Sequence, residues 1–318
     1  HNLKFSTLGG YQLMLEKHLY PVFGKYDMKK ITPIMIQRYY NDARENGRKD
    51  GRNKPLSSTT IQRHHQLIHK LFADALKWNY VNLNPADLVD KPKKDKPEIS
   101  FLTIEEMNEF TESMSISTWG ELAYVACWTG MRMGELLGLK WGDINLDQEF
   151  ISVQRSLIFD TKTKQSFYEK PKTKTSIRRI DIDVDLKHYL RSMKENQLSI
   201  FNEVDDDSPV FRYLDGKPFN NQSVSQGIKK GLQKMGRGDC SMHSLRHSHA
   251  SALLSADAPL KVVSERLGHA SIAITADTYS HVAPSIQKHH INNLAILRNS
   301  EIAPEIHSDN ITKLVVNE

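Results

Sequence analysis

Hydrophobic positions recur at helical spacing through most of the first ninety residues. In 58–78, STTIQRHHQLIHKLFADALKW, one helical stripe holds Ile61, His65, Ile68, Leu71, Phe72, Ala75 and Leu76. Ser57, Ser58 or Thr59 can cap this helix. Further helices are predicted over 33–46 and over about 5–20. The first region is therefore predicted to be all-helical.

The pattern changes at residues 91–98, KPKKDKPE, which contain no hydrophobic residue. Proline disfavours helix at the preceding residue and the lysines repel one another, so this segment predicts an extended linker. The predicted domains are a helical domain over 1–90, the linker 91–98, a larger domain over 99–298 and a tail over 299–318.

The larger region mixes helical and strand patterns. Thr103 followed by Glu106 is a capping-box pattern. The segments 150–159, FISVQRSLIF, and 177–183, IRRIDID, are rich in β-branched residues and predict strands joined through a polar hairpin. Helical spacing surrounds them, which predicts a mainly α fold with a small antiparallel sheet. Helical positions before the strands are Leu122, Val125, Ala126, Leu136 and Leu137.

Charge is distributed unevenly along the chain. Residues 1–97 hold 18 Lys/Arg against 9 Asp/Glu, whereas the remainder holds 25 against 29. A basic N-terminal third predicts a polyanionic partner. No apolar run reaches the length of a membrane span or a signal core. Cys127 and Cys240 make no disulfide framework, which predicts reduced thiols in the cytoplasm.

Histidine and arginine concentrate in residues 241–250, SMHSLRHSHA. On a helix His243, Arg246 and His247 share one face, while His249 lies about 200° round from His247. Arginine supplies a forked donor and histidine can transfer a proton, so this face could hold a phosphate. A zinc site is disfavoured, because no carboxylate or cysteine lies nearby. His64, His65 and His69 are predicted to be helix-surface or partly buried polar residues.

Four motifs occur in a fixed order over about 150 residues: TGMRMGELLGLKW, PKTKTSIRRIDI, HSLRHSHA and LGHASIAITADTYSHV. Together they resemble the tyrosine recombinase family of the phage-integrase type, and especially integrases of Gram-positive phages and integrative conjugative elements. The segment 59–89 is similar to the end of the family's core-DNA-binding domain. The resemblance implies a SAM-like helical domain and an α+β catalytic domain that form a C-shaped clamp on DNA.

The resemblance also implies a catalytic set. Its members are Arg132, Lys172, His243, Arg246, His269 and the nucleophile Tyr279, with Lys174 as the alternative lysine. Glu135 is predicted to orient Arg132, and His247 to support the site, without acting directly in the chemistry. Expected DNA contacts are Arg48, Lys49, Arg52, Lys54, Arg63, Lys93, Lys94, Arg178 and Arg179, the last two on a strand surface.

These residue types suit metal-free cleavage of a phosphodiester. Tyrosine attacks phosphorus, the arginines and His269 stabilise the added charge, and a lysine protonates the leaving 5′-oxygen. His243 could accept the tyrosine proton. The resemblance implies no cofactor, metal or ATP, and a 3′-phosphotyrosyl intermediate. The expected partners are double-stranded DNA at attachment or transposon-end sites, three further copies in a tetramer that exchanges C-terminal segments, and an accessory DNA-bending or excision factor. No membrane partner is expected, and the predicted location is the bacterial cytoplasm at the nucleoid.

Three alternatives stay open at this point. The first is a nicking-closing enzyme like a type IB topoisomerase, which shares the chemistry. The second is a catalytically decayed integrase that acts as a DNA-binding regulator. The third is a metallohydrolase built on the histidine clusters.

Overall fold

The computed structural model describes residues 5–47, 54–92, 99–160, 163, 165–169, 177–279, 291 and 294–296. The chain divides into two compact units, His1–Glu98 and Ile99–Glu318. The predicted linker lies mostly outside the described residues, as does most of the segment after Tyr279. The predicted domain boundaries therefore stay predictions.

The first unit is helical, as the periodicity predicts. Ser57 caps its longest helix, because its hydroxyl accepts the Thr60 N–H at 3.2 Å. Short 3₁₀ turns at Met28–Lys30 and Pro85–Leu88 connect or follow the helices. The helices are α1 (Phe5–Met14), a π-helical turn (Leu15–Leu19), α2 (Tyr20–Phe23), α3 (Pro33–Asn46) and α4 (Ser58–Lys77).

The predicted stripe of α4 is narrower in the structure. Ile61, Ile68, Phe72 and Ala75 are buried with His65, whereas Leu71 and Leu76 are 38% and 40% exposed. The core of the unit therefore covers only the central part of the predicted stripe.

His64 and His65 are both buried, which corrects the prediction of helix-surface or partly buried positions. His64 is completely buried, and its Nδ1 lies 2.7 Å from the hydroxyl of Tyr39 on α3. His65 makes the equivalent contact with Tyr40 at 2.9 Å. Burial lowers the pKa of His64 to about 4, so this histidine is a neutral polar tie between two helices.

The second unit holds the remaining helices and all described strands. The helices are α5 (Ile104–Met114), α6 (Gly120–Thr129), α7 (Met133–Leu137), α8 (Val184–Phe201), α9 (Asn221–Lys234), α10 (Met242–Ser255), α11 (Leu260–Leu267) and α12 (Ile272–Tyr279). The strands are β1 (Ile144–Asn145), β2 (Phe150–Val153), β3 (Ser156–Phe159), β4 (Ser166–Glu169) and β5 (Arg178–Asp181). A 3₁₀ turn, Trp141–Asp143, precedes β1.

The strands form two small antiparallel sheets. One has the order β1-β2-β5, with Ile151 opposite Ile180, and the other is the hairpin β3-β4. The segment predicted as one strand is interrupted at Gln154 and Arg155, and Arg155 pairs with the buried carboxylate of Asp143. The hairpin is thus inserted between β2 and β5. Lys172 and Lys174 follow it and lie outside the described residues.

The main apolar core of this unit surrounds α6, and a second, smaller cluster packs α10, α11 and α12 together. Leu122, Ala123 and Val125 of α6 have no exposed surface. The predicted capping box begins α5: Thr103 accepts the Glu106 N–H, and the Glu106 carboxylate accepts the Thr103 N–H at 2.8 Å. Among the described residues, no helix is long and apolar enough to cross a membrane.

Candidate active site

Three successive carbonyls at the C-terminal end of α11 each accept a hydrogen bond from an arginine. Arg178 Nε donates to Arg266 O at 2.6 Å, and Arg246 Nη2 donates to Leu267 O at 2.6 Å. Arg132 Nη2 donates to Gly268 O at 3.2 Å. The last carbonyls of a helix lack intrahelical partners and carry partial negative charge. The end of α11 therefore collects guanidinium groups from three distant parts of the chain.

Two glycines make this collection sterically feasible. Gly130 ends α6 and Gly268 ends α11, both in the left-handed conformation with φ of 64° and 65°. Gly130 O accepts Arg246 Nη1 at 2.8 Å. A Cβ on Gly268 would lie 3.1 Å from the Arg178 guanidinium. The glycines of TGMR and LGH thus end helices and leave room for the groups packed on them.

Glu135 is the carboxylate that pairs with these arginines. Its side chain is 6% exposed and contacts Arg132 Nη1 at 2.8 Å and Arg178 Nη2 at 2.8 Å. It also accepts the Arg132 N–H at 2.9 Å at the start of α7. Burial alone would raise the pKa of Glu135, but the hydrogen bonds and charge of Arg178 and Arg132 hold it below its ordinary value.

Positive charge exceeds negative charge at this point. In the described part of the chain, three guanidinium groups meet at the end of α11 with one buried carboxylate, Glu135. It pairs with Arg132 and Arg178, whereas Arg246 donates to backbone carbonyls. Burial and the charge of Arg132 lower the pKa of Arg246 to about 9, so it stays protonated at neutral pH. The Arg132 side chain is 41% exposed and can reach a ligand. The site is therefore built to hold an anion.

The Tyr279 hydroxyl lies beside His247 of α10, with 3.0 Å between its oxygen and His247 Nδ1. The His243 ring stands nearly perpendicular to the His247 ring, with centroids 4.7 Å apart. Burial raises the pKa of Tyr279 to about 12, although the charge of Arg246 acts in the opposite direction. The phenol is thus protonated at neutral pH and needs a base. His247 was predicted to support the site indirectly, but it contacts the Tyr279 hydroxyl directly.

His269 follows Gly268 directly and faces the same region. Its Nδ1 lies 2.8 Å from the hydroxyl of Thr275 on α12, and Thr275 is completely buried. Burial, together with the charges of Arg246 and Arg132, lowers the pKa of His269 to about 4. The same causes lower the pKa of His243. Both rings are therefore neutral at pH 7. Sequence reasoning missed Thr275, since one threonine in a helix carries no signal.

Arg178 corrects an expectation. It was predicted as an exposed strand residue near DNA, but its side chain is 6% exposed and bound to Glu135. Its neighbour Arg179 does lie on the surface, with its guanidinium 4.1 Å from the centre of the Phe150 ring. The alternation of β5 explains this difference, because successive side chains point to opposite faces.

Most of the remaining predicted DNA contacts lie outside the described residues. Lys54 and Arg63 are exposed on the first unit. The described residues contain no group of three or more His, Cys, Asp or Glu side chains that could hold a metal ion. The predicted positions outside the described residues are Arg48, Lys49, Arg52, Lys93, Lys94, Lys172 and Lys174.

Two family models match this chain. The phage integrase family model matches residues 99–285, and the model of the phage integrase N-terminal SAM-like domain matches residues 1–43. A tyrosine recombinase XerC-like protein of Caldanaerobacter subterraneus subsp. tengcongensis is 31% identical over 83% of this chain and 71% of its own length. The ICEBs1 integrase of Bacillus subtilis is 30% identical over 86% and 73%.

Solved structures share the fold. The Tn1549 transposon integrase in complex with a circular intermediate DNA superposes with a TM-score of 0.77, at 18% identity, over 92% of this chain and 95% of that one. A lambda integrase tetramer bound to a Holliday junction gives 0.65, at 18% identity, over 87% and 72%. The chain belongs to the phage integrase family of tyrosine recombinases. It is a site-specific DNA recombinase of the kind that mobile elements encode.

The Glu135 geometry predicts a pH-dependent stability. Its pKa is lower in the folded chain than in the unfolded chain, so its contribution is complete above pH 4.5 and is lost as the pH falls through the lowered folded value. Glu135→Gln should lower the free energy of unfolding at pH 7 by about 3–5 kcal/mol, because Arg178 loses its buried carboxylate.

Urea unfolding of both chains at pH 7 and at decreasing pH measures this effect. The difference between wild type and variant should shrink in acid. Glu149→Gln is the matched control, since its exposed pair with Lys187 contributes far less. An equal effect of both substitutions, or a difference that grows in acid, would contradict the assignment.

Proposed function

We propose that this chain cleaves and rejoins DNA through a covalent bond between Tyr279 and a 3′-phosphate. The observation that carries the proposal is the excess of guanidinium groups at the end of α11. Arg246 and Arg132 both donate to Leu267 O, at 2.6 Å and 3.5 Å, and the Glu135 carboxylate pairs with Arg132. Such a site favours the additional negative charge of a pentavalent phosphorus.

The first step transfers a phosphoryl group to tyrosine. The Tyr279 oxygen attacks phosphorus, the bond from phosphorus to the 5′-oxygen breaks, and a 3′-phosphotyrosyl bond forms. The phenol must lose its proton, and the 3.0 Å contact supports His247 Nδ1 as its acceptor. The T-shaped contact with the His243 ring orients the His247 ring. We therefore assign proton transfer to His247 and its support to His243.

The second step reverses the first with another strand. A free 5′-hydroxyl attacks the phosphotyrosyl phosphorus and releases Tyr279, which regains its proton. Because the bond energy is retained in the intermediate, no nucleotide hydrolysis is required. The 5′-oxygen that leaves in the first step needs a proton, and we assign this role to Lys172, with Lys174 as the alternative.

The proposed substrate is double-stranded DNA at the ends or attachment site of a mobile element. The solved neighbours were determined with circular intermediate DNA and with a Holliday junction, which supports this choice. Lys54, Arg63 and Arg179 are exposed cations that fit contacts with the phosphate backbone. We further propose a clamp-like arrangement on the duplex, a cytoplasmic location at the nucleoid and an accessory DNA-bending or excision factor.

A type IB topoisomerase-like activity is the second candidate, because it would use the same phosphotyrosyl step. Strand exchange between two sites distinguishes a recombinase from a nicking-closing enzyme. A decayed regulator would bind DNA without any covalent product, and a metallohydrolase would lose its activity in EDTA.

Tyr279→Phe tests the nucleophile. The variant should bind DNA with the affinity of the wild type but form no covalent complex, because it keeps the ring and lacks the oxygen. Nicked DNA that spans the junctions of the encoding element is incubated with each protein in EDTA, and the covalent product is resolved on a denaturing gel. A covalent product from the variant would contradict the assignment.

Lys172→Ala and Lys174→Ala separate the two candidate acids. Loss of the general acid should slow cleavage by about 10²–10⁴-fold. A substrate with sulfur in place of the leaving 5′-oxygen should restore cleavage only in the variant that lacks the acid, because a thiolate leaves without protonation. Rescue of Lys174→Ala instead of Lys172→Ala would reverse the choice.

Removal of residues 285–318 tests the proposed tetramer. If neighbouring copies exchange this segment on two DNA sites, the shortened chain should bind a single half-site normally and lose cooperative assembly. Gel-shift titration and sedimentation measure the two properties. Cooperativity equal to that of the full chain would contradict the exchange.

A further inference from the structure

Arg266 ties together the three parts of the chain that carry the arginine cluster. It lies at the C-terminal end of α11, beside Leu267 and Gly268, whose carbonyls hold Arg246 and Arg132. Its own carbonyl holds Arg178. Its side chain binds α6, β5 and α10.

The Arg266 guanidinium has three described partners. Nη1 donates to Asp181 O on β5 at 2.8 Å, and Nη2 donates to Trp128 O on α6 at 3.3 Å. Nε donates to Nε2 of His249 at 2.9 Å. One side chain therefore connects the last turn of α6, the strand that carries Arg178 and the helix that carries Arg246.

The hydrogen bonds determine the tautomer of His249. Its Nδ1 lies 3.0 Å from Cys127 O, and a carbonyl can only accept, so Nδ1 carries the proton. Arg266 Nε can only donate, so His249 Nε2 must be unprotonated. Burial, with the charge of Arg266, lowers the pKa of His249 to about 3, which agrees with a neutral ring.

His249 also contacts the turn that leads to Arg132. A Cβ on Gly130 would lie 2.7 Å from His249 Cδ2, so the ring packs directly on this glycine. Cys127 O and Trp128 O are among the last carbonyls of α6, which lack intrahelical partners. His249 donates a hydrogen bond to Cys127 O, and Arg266 donates one to Trp128 O. Together they fix the turn that presents Gly130 O to Arg246 and continues to Arg132.

We propose that Arg266 and neutral His249 form a positioning pair that holds Arg132, Arg178 and Arg246 in register for phosphoryl transfer. The inference rests on the proposed function for its catalytic consequence. Neither side chain touches the reacting atoms. The pair acts by fixing the turns whose backbone carbonyls accept hydrogen bonds from the arginines.

Single-turnover cleavage of nicked DNA at saturating protein tests the pair. Arg266→Gln should lower the cleavage rate constant by about 10–100-fold, since a displacement of about 1 Å at a reacting centre can cost 10²-fold. The dissociation constant for DNA should change much less, because the exposed cations remain. Arg212→Gln is the matched control: this half-buried arginine contacts Gln197 and Phe201 on α8.

The histidine is tested by two replacements. His249→Phe fills the space but offers neither the donor nor the acceptor, and it should slow cleavage to a similar degree as Arg266→Gln. His249→Gln can donate to Cys127 O and accept from Arg266, so it should recover part of the rate. In the double variant of Arg266→Gln with His249→Phe the losses should not add, because the two groups act as a unit.

Amide hydrogen exchange without DNA gives a readout that is independent of catalysis. Arg266→Gln should increase exchange in 125–135, 178–182 and 260–269, whereas Arg212→Gln should leave these segments unchanged. Unchanged exchange there, or wild-type cleavage by Arg266→Gln or His249→Phe, would overturn the positioning pair. If the wild type itself forms no covalent product, the proposed function fails. The exchange measurement still decides whether the pair stabilises the backbone segments to which the three arginines bind.

Discussion

The candidate active site depends on the C-terminal end of one short helix, α11. A helix must leave its final carbonyls without internal partners, and α11 ends with three of them in succession. Arg178, Arg246 and Arg132 satisfy these groups from three different parts of the chain. The backbone thus arranges positive charges that would otherwise repel one another, and the partial negative charge of the helix end offsets part of that repulsion.

Charge balance around this helix end explains the roles of the neighbouring groups. Glu135 neutralises part of the positive charge and orients Arg132 and Arg178. The pKa values of His243 and His269 are lowered, so these rings add no further charge at neutral pH. The remaining excess suits a phosphate that gains charge during the reaction.

Particular residues show which structural features can be predicted from local sequence. Capping at Thr103 and the helical period of α4 are local, and the structure confirms both. Leu71 and Leu76 are exposed because the width of a buried stripe depends on what packs against it. Arg178 is buried because Glu135, 43 residues earlier in the chain, lies under β5. Local patterns predict elements, but burial of a polar side chain is decided by a partner far away in sequence.

The sequence by itself determined the kind of residues available, their order in four motifs, the family and most of the helices. Only the tertiary structure decided that His247 rather than His243 meets Tyr279, and that His249 is a neutral acceptor for Arg266. The physical reason is the range of the interactions. Helix periodicity and capping act within a few residues. The hydrogen bonds of Arg178, Arg246 and Arg266 instead join groups that are distant in sequence and are brought together by packing around α6 and α11.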